Sequence, residues 1–394
     1  MLNFIFFLLS LCPPADAQIP AFRAALIDTF PGGYSVCAAD MNGDGLTDIV
    51  GLSTNPPVLA WYRNPGWERR VITTAGTAYI DCAPHDIDGD GRLDIALQSD
   101  FRMNRTSTGG LVTWLRAPAD PQGEWRSFDI WAEPTCHRIR WADVDGDGAD
   151  ELVNAPIMGR DAVTPDWAVG VRLAWFEIPA NPETGPWVPR LIDDRLTVLH
   201  GIFVEDWDGD GRDDLLTASF EGVHIYFSRN EGGAVAWEKV KLGAGEQADS
   251  TARGASEVAP GRIKGQKHAF IATVEPWHGN EVVVYTPPAG HEGLWERNVI
   301  ETAFDGGHGL TVGDLNNDGT DEIIAGYRGG TGGLYIYTCT DSEGKHWKRT
   351  PLDEGGITVA NICTADLNGD GRLDIIAIGA ASGNIKLYEN LEFH

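Results

Sequence analysis

The chain has 394 residues, with 58 acids against 30 Lys plus Arg and a formal charge of −28. A surface this acidic argues against nucleic acid and anionic membrane as partners. Its 42% hydrophobic content suffices for a large core, while 48 Gly, 22 Pro and no long helical periodicity indicate many short strands joined by turns.

Residues 1–17 read as a signal peptide: Asn3 to Cys12 is apolar, and Ala15-Asp16-Ala17 fits a small-x-small cleavage site. The mature chain, 18–394, is expected to be secreted. No later stretch is apolar and long enough to span a bilayer. Five cysteines remain, Cys37, Cys82, Cys136, Cys339 and Cys363, so at least one is free or paired elsewhere.

Two signals then repeat along the chain. One is a Trp-led strand, once Phe-led, opening at Phe22, Trp67, Trp125, Trp187, Trp237, Trp295 and Trp347. The other is an aspartate loop with acid or amide oxygens at its first, third, fifth and ninth positions and Gly at the sixth. Its ligand positions are Asp40, Asn42, Asp44 and Asp48, then Asp86, Asp88, Asp90 and Asp94, then Asp143, Asp145, Asp147 and Glu151. The later copies use Asp206, Asp208, Asp210 and Asp214, then Asp314, Asn316, Asp318 and Glu322, then Asp366, Asn368, Asp370 and Asp374. Seven strands face six loops; the gap falls at Arg253 to Ala269, read as a loop of equal length that has lost its acids.

Four short strands per unit, here called A to D from the inside out, read as an all-β, seven-bladed β-propeller. The chain opens with a lone D strand and closes with A, B and C, so the N-terminal strand is expected to complete the last blade and remove the free edge. Cys37 and Cys363 are candidate disulfide partners across that closure. Several hard oxygens converging on a tight glycine turn suit calcium. One copy would be a plain Asp-Gly turn; six matched copies predict several structural calcium ions.

These loops resemble those of the FG-GAP/VCBS propellers, and the resemblance covers essentially the whole mature chain. It implies the propeller fold and calcium; that class spans adhesion modules, lectin-like proteins and carbohydrate lyases, so function has to come from the site.

Counting back six residues from each loop places Tyr34, Ile80, His137, His200, His308 and Ala360 at the channel rim opposite the loops. The degenerate blade aligns Arg253-Gly254 with His200-Gly201 and His308-Gly309, which adds Arg253 to the ring. The B–C loops on that face contribute Arg102, Arg105, Arg160, Trp167, Trp277, His278, Tyr327 and Arg328. Aromatic faces stack on sugar rings and Arg forks bind carboxylates, so an acidic oligo- or polysaccharide is the expected partner of a monomeric chain. His137, His200 and His308 would either hold one divalent metal or, with His278, serve as acid and base beside Tyr34 and Arg253. Either use supports β-elimination on a uronate. Packing residues that merely close the channel are the bland alternative, and a glycan-binding or adhesion propeller is the corresponding function. A weaker resemblance runs to the single-propeller rhamnose–glucuronate polysaccharide lyases and to the propeller part of aldos-2-ulose dehydratase, which implies a lyase or a sugar dehydratase.

Overall fold

The computed structural model describes residues 19–120, 123–165, 167–249, 251–290 and 293–391; the expected signal peptide lies outside them. Among these described residues, twenty-eight strands form seven four-stranded antiparallel sheets. The inner strands A are Gly33–Ala39, Asp81–His85, Cys136–Ala142, Gly201–Glu205, Val258–Ile263, Gly307–Gly313 and Val359–Ala365, in blades 1 to 7. The ring closes as the sequence predicts. Strand D of blade 7 is Phe22–Thr29, paired antiparallel with Asn384–Asn390 from the other end of the chain.

Strand B is buried throughout in blades 1 to 4 and 7, as in Asp48–Ser53, because each sheet packs on both neighbours. The outer strand alternates, as in Glu68–Thr73, because one face meets water. The core is therefore a ring of inter-blade layers; Phe270, Val282, Ile323 and Tyr337 make up part of the one between blades 5 and 6.

The ninth-position acids hold strands together. Asp48, Asp94, Asp214 and Glu322 are fully buried, and Glu151 and Asp374 nearly so. Asp374 accepts from Leu367 N–H at 3.1 Å, at the loop, and from Asn390 N–H at 2.8 Å, at the end of strand C. Asp48 does the same with Met41 and Asn64. The side chain of that last residue then reaches the preceding blade: Asn390 Nδ2 donates to Leu315 O at 2.8 Å, and Asn64 Nδ2 to Leu367 O at 2.6 Å.

Two expectations fail. All five cysteines among the described residues are free thiols, Cys37 and Cys363 included. Cys37 instead lines one cavity together with Cys82 on the neighbouring inner strand and Cys363. Blade 5 also holds no loop of the usual length. Val258–Ile263 and Gln266–Glu275 are joined by Lys264-Gly265, both with positive φ, in a two-residue hairpin that needs no metal.

Replacing Asn390 by Ala removes hydrogen bonds to Leu315 O and Leu373 O at a site that is 1% exposed. The expected loss is about 1–3 kcal/mol, read as a lower urea midpoint at constant slope; an unchanged midpoint would refute the inter-blade clasp.

Candidate functional site

Four of the seven inner strands break register near their start. In blades 1, 3, 6 and 7 pairing skips Tyr34, His137, His308 and Ala360. In blades 2 and 4, Ile80 and His200 sit just before the strand, their N–H groups donating to Gln98 O and Ala218 O, each at 3.0 Å. A bulge residue has no cross-strand partner and is free to turn toward the axis. In blade 5 the equivalent position is Glu257, not Arg253: Ser256 N–H bonds Val274 O and Val258 pairs with Thr273, leaving Glu257 between them. The sequence count missed this because the two-residue hairpin removed the loop it was anchored on.

The imidazoles of blades 3, 4 and 6 meet at one end of the pore. Ring centroids are 4.6 Å apart for His137–His200 and 5.1 Å for His200–His308. All three are at most 1% exposed. His278 joins from the B–C loop of blade 5, its Nε2 at 2.9 Å from His200 Nε2. It holds a left-handed φ of 52°, unusual for a residue with a side chain, under the Trp277 ring at 4.6 Å. The Tyr34 hydroxyl lies 3.0 Å from His137 Nε2 and 3.3 Å from His308 Nε2.

Two residues absent from the sequence reading complete the cluster. Arg138 NH1 donates to His137 Nε2 at 3.2 Å, and its NH2 donates to Glu257 Oε1 at 2.6 Å. Glu257 Oε1 also accepts from His200 Nδ1 at 3.0 Å. Gly201 makes this approach possible, since a Cβ there would lie 2.6 Å from Ser256 O. Arg328 NH2 lies 3.2 Å from His278 Nδ1. Below the cluster the pore opens into a cavity of 420 Å³, lined by Glu257, Asp81, Arg140, Asn361 and the three thiols Cys37, Cys82 and Cys363.

The electrostatics are consistent. Burial holds His137, His278 and His308 well below the ordinary imidazole range; Arg138 adds to this at His137, His200 at His278, and Arg328 at His308. Burial pushes the Tyr34 phenol up. Burial also opposes the charge on Glu257, but Arg138 and His200 outweigh it and keep the carboxyl low. At neutral pH the cluster therefore carries two guanidinium groups, one carboxylate and neutral rings.

The other named residues are placed elsewhere. Arg253 covers the Phe220 ring at 4.9 Å, and its carbonyl accepts from Trp277 N–H at 3.3 Å, which supports the His278 loop. Arg102 bonds Phe101 O, Arg105 pairs with Asp100 at 2.5 Å and Arg160 with Glu133 at 3.4 Å, all in the surrounding loops. Trp167 is buried with Val198 and Phe220 in an apolar patch that also touches Phe101 and Trp277. Tyr327 stacks against Tyr335 in the core between blades.

Two kinds of cluster among the described residues have metal-binding potential. The nitrogens of His200, His278 and His308 lie within 4.8 Å of one another. This differs from the expected trio, because His137 Nε2 is taken by Tyr34 and Arg138. Asp86, Asp88 and Asp90, Asp143, Asp145 and Glu151, and Asp206, Asp208 and Asp210 form equivalent oxygen clusters. The loop shape repeats: the sixth-position N–H donates to the first-position carboxylate, at 2.8 Å for Gly45–Asp40 and Gly371–Asp366. Asp94 Oδ2 is buried without a hydrogen-bond partner, as a further metal ligand would be.

Fold and site define a propeller with acid-loop blades and a buried polar cluster on its axis. FG-GAP-like repeats match over residues 24–97 and 314–377, and the aldos-2-ulose dehydratase β-propeller domain matches over residues 109–288. Aldos-2-ulose dehydratase of Phanerodontia chrysosporium is 23% identical over 93% of this chain and 44% of its own length, so the chain spans less than half of that relative. The chain is thus a propeller distantly related to the propeller part of a sugar-active enzyme. Among solved structures, BBS1N from its complex with ARL6DN is similar in fold alone, at TM-score 0.57 and 12% identity over 96% of this chain and 99% of that one. The exotype rhamnogalacturonan lyase YesX reaches a TM-score of 0.47 at 15% identity over 94% and 74%, too low to carry an argument.

Burial, with help from neighbouring acids, raises the metal-free pKa of Asp48, Asp94 and Asp214 to about 6 and of Glu151 and Glu322 to about 8. The unfolded acids ionise near 4, so without metal the fold loses stability as pH rises from there toward 8. Calcium must displace these protons, so its increment in Tm over chelator-treated protein is expected to be larger at pH 8 than at pH 5. An increment absent at both would refute calcium binding.

Proposed function

We propose that the chain is a secreted carbon–oxygen lyase that cleaves a uronic-acid-bearing glycan, such as a rhamnose–glucuronate linkage, by β-elimination. One observation carries the reading: neutral imidazoles, a phenol and two guanidiniums converge at one pore mouth of a protein whose formal charge is −28. A local excess of positive charge in so acidic a chain favours an anionic substrate.

A ligand arriving on the loop-lined face meets Tyr34, His278 and Arg328, which are half-buried, before the fully buried rings. Arg328 takes the carboxylate and acidifies the adjacent C5–H. Tyr34 accepts that proton while passing its own to His137 Nε2. The C–H electrons form the C4=C5 double bond, the C4–O bond breaks, and the same pair returns a proton to the departing oxygen. The substrate's negative charge raises the depressed imidazole pKa toward the working range. Calcium in the acid loops would keep the blades rigid without entering the chemistry.

The match to the dehydratase propeller domain over residues 109–288 supports a second reading, in which the departing oxygen is a hydroxyl of a keto-sugar and leaves as water.

The test is incubation with a panel of acidic glycans and, separately, 2-keto-sugars, following the ultraviolet absorbance of the unsaturated product. Tyr34→Phe and His137→Ala are each expected to lower kcat/KM by about 100-fold or more. The acid limb of kcat/KM should fall below about pH 6.5, because the free imidazoles resist protonation. Glycan binding without turnover of any substrate would leave a lectin or adhesion propeller and refute the lyase.

A further inference from the structure

Fixed partners set the tautomers in the cluster. His200 Nδ1 faces two acceptors, Glu257 Oε1 at 3.0 Å and Ser256 O at 3.1 Å, so it carries the proton and Nε2 presents a lone pair. Ala360 O, at 2.5 Å from His308 Nδ1, does the same for His308. His278 is reversed. Arg328 has only donors, and its NH2 lies 3.2 Å from His278 Nδ1, so Nδ1 accepts. The His278 proton then sits on Nε2 and is donated to the His200 Nε2 lone pair 2.9 Å away. Two of the three ligand nitrogens thus offer lone pairs to a common space, and Arg328 turns the third off.

We infer that Arg328 is a gate that couples anion binding to divalent-metal binding at His200, His278 and His308. While it donates to His278, the relay Arg328–His278–His200–Glu257 is complete and the cluster is closed to metal. Two imidazoles on one tetrahedral ion hold their nitrogens about 3.4 Å apart, given metal–nitrogen bonds of about 2.1 Å, so the 2.9 Å pair must open. An anion that draws Arg328 away leaves His278 Nδ1 without a donor. The proton moves from Nε2 to Nδ1 by exchange with water, and the third lone pair turns inward. Glu257 then orients His200 from behind, as carboxylates do for metal-bound histidines. Three imidazoles suit zinc or cobalt, whereas the oxygen-only acid loops suit calcium. Linkage makes the effect mutual: metal tightens the anion as much as the anion tightens metal. The inference rests on the proposed function only in choosing a uronate carboxylate as the anion.

The test is calorimetric titration of the full chain with zinc in saturating calcium, with and without glucuronate. In the wild type, glucuronate is expected to tighten zinc binding by about tenfold, within the usual range of such couplings. Arg328→Met should bind zinc that tightly without glucuronate and lose the response, while Arg328→Lys, which keeps a donor, should bind as the wild type does. His308→Ala should abolish this zinc site. Circular dichroism and Tm establish that each variant is folded, and the wild-type arm needs no variant. The gate is overturned if Arg328→Met, folded, binds zinc no tighter than the wild type, or if zinc binding survives His308→Ala. Tightening by Arg328→Met without any effect of glucuronate keeps the gate and counts against the uronate reading.

Discussion

Pairing of Phe22–Thr29 with Asn384–Asn390 is the constraint on which the rest of the molecule depends. It joins the two ends of the chain into one sheet, so the last blade gains its fourth strand and every inner strand is fixed relative to a single axis. Only in a closed ring do residues as far apart as Tyr34 and His308 come within 3.3 Å. The bulge at the start of the inner strands of blades 1, 3, 6 and 7 helps convert that closure into a site, because the residue released from pairing is the one that turns toward the axis.

The cluster survives burial because its charges are arranged in a chain. Arg138 is 4% exposed and would be costly there alone; Glu257 offsets its charge and is itself held by His200. The imidazoles remain uncharged because burial and two guanidiniums both penalise protonation. One arrangement thus keeps the pore mouth neutral in its rings and positive in its sum. Lone pairs can be presented there to a proton or a metal, and an anion is attracted from outside.

The acid loops have a second role that needs no metal. In blades 1, 4 and 7 the ninth-position carboxylate already binds two backbone N–H groups, one at the loop and one on or just after strand C, and the side chain of that second residue fastens the preceding blade. A cation at the other loop acids would relieve repulsion among carboxylates that the fold holds close. Scaffold and metal then reinforce each other. Blade 5 shows that a blade without the loop still closes: its hairpin is short, and Arg262 binds Asp321 of blade 6 at 2.9 Å.

The sequence by itself determined the blade number, the closing strand and six of the seven axial positions. Those follow from short-range regularities: an oxygen pattern around a glycine turn, an aromatic strand opening, and a constant count from loop to strand start. Such signals survive in one dimension because each blade repeats the same local physics. Blade 5 lost the turn that anchors the count, so Glu257 was hidden behind a false alignment with Arg253. Arg138 was hidden for another reason. Strand alternation predicts that neighbours of His137 point away, but a bulge breaks alternation and brings both side chains to the axis. Which rim arginine reaches the cluster was likewise decided in three dimensions. Arg328 was one of four B–C loop arginines in the sequence, and only the folded loops show that Arg105 and Arg160 are paired with acids beside them while Arg328 lies against His278. Ion pairing depends on distances across blades, and no spacing along one chain encodes them.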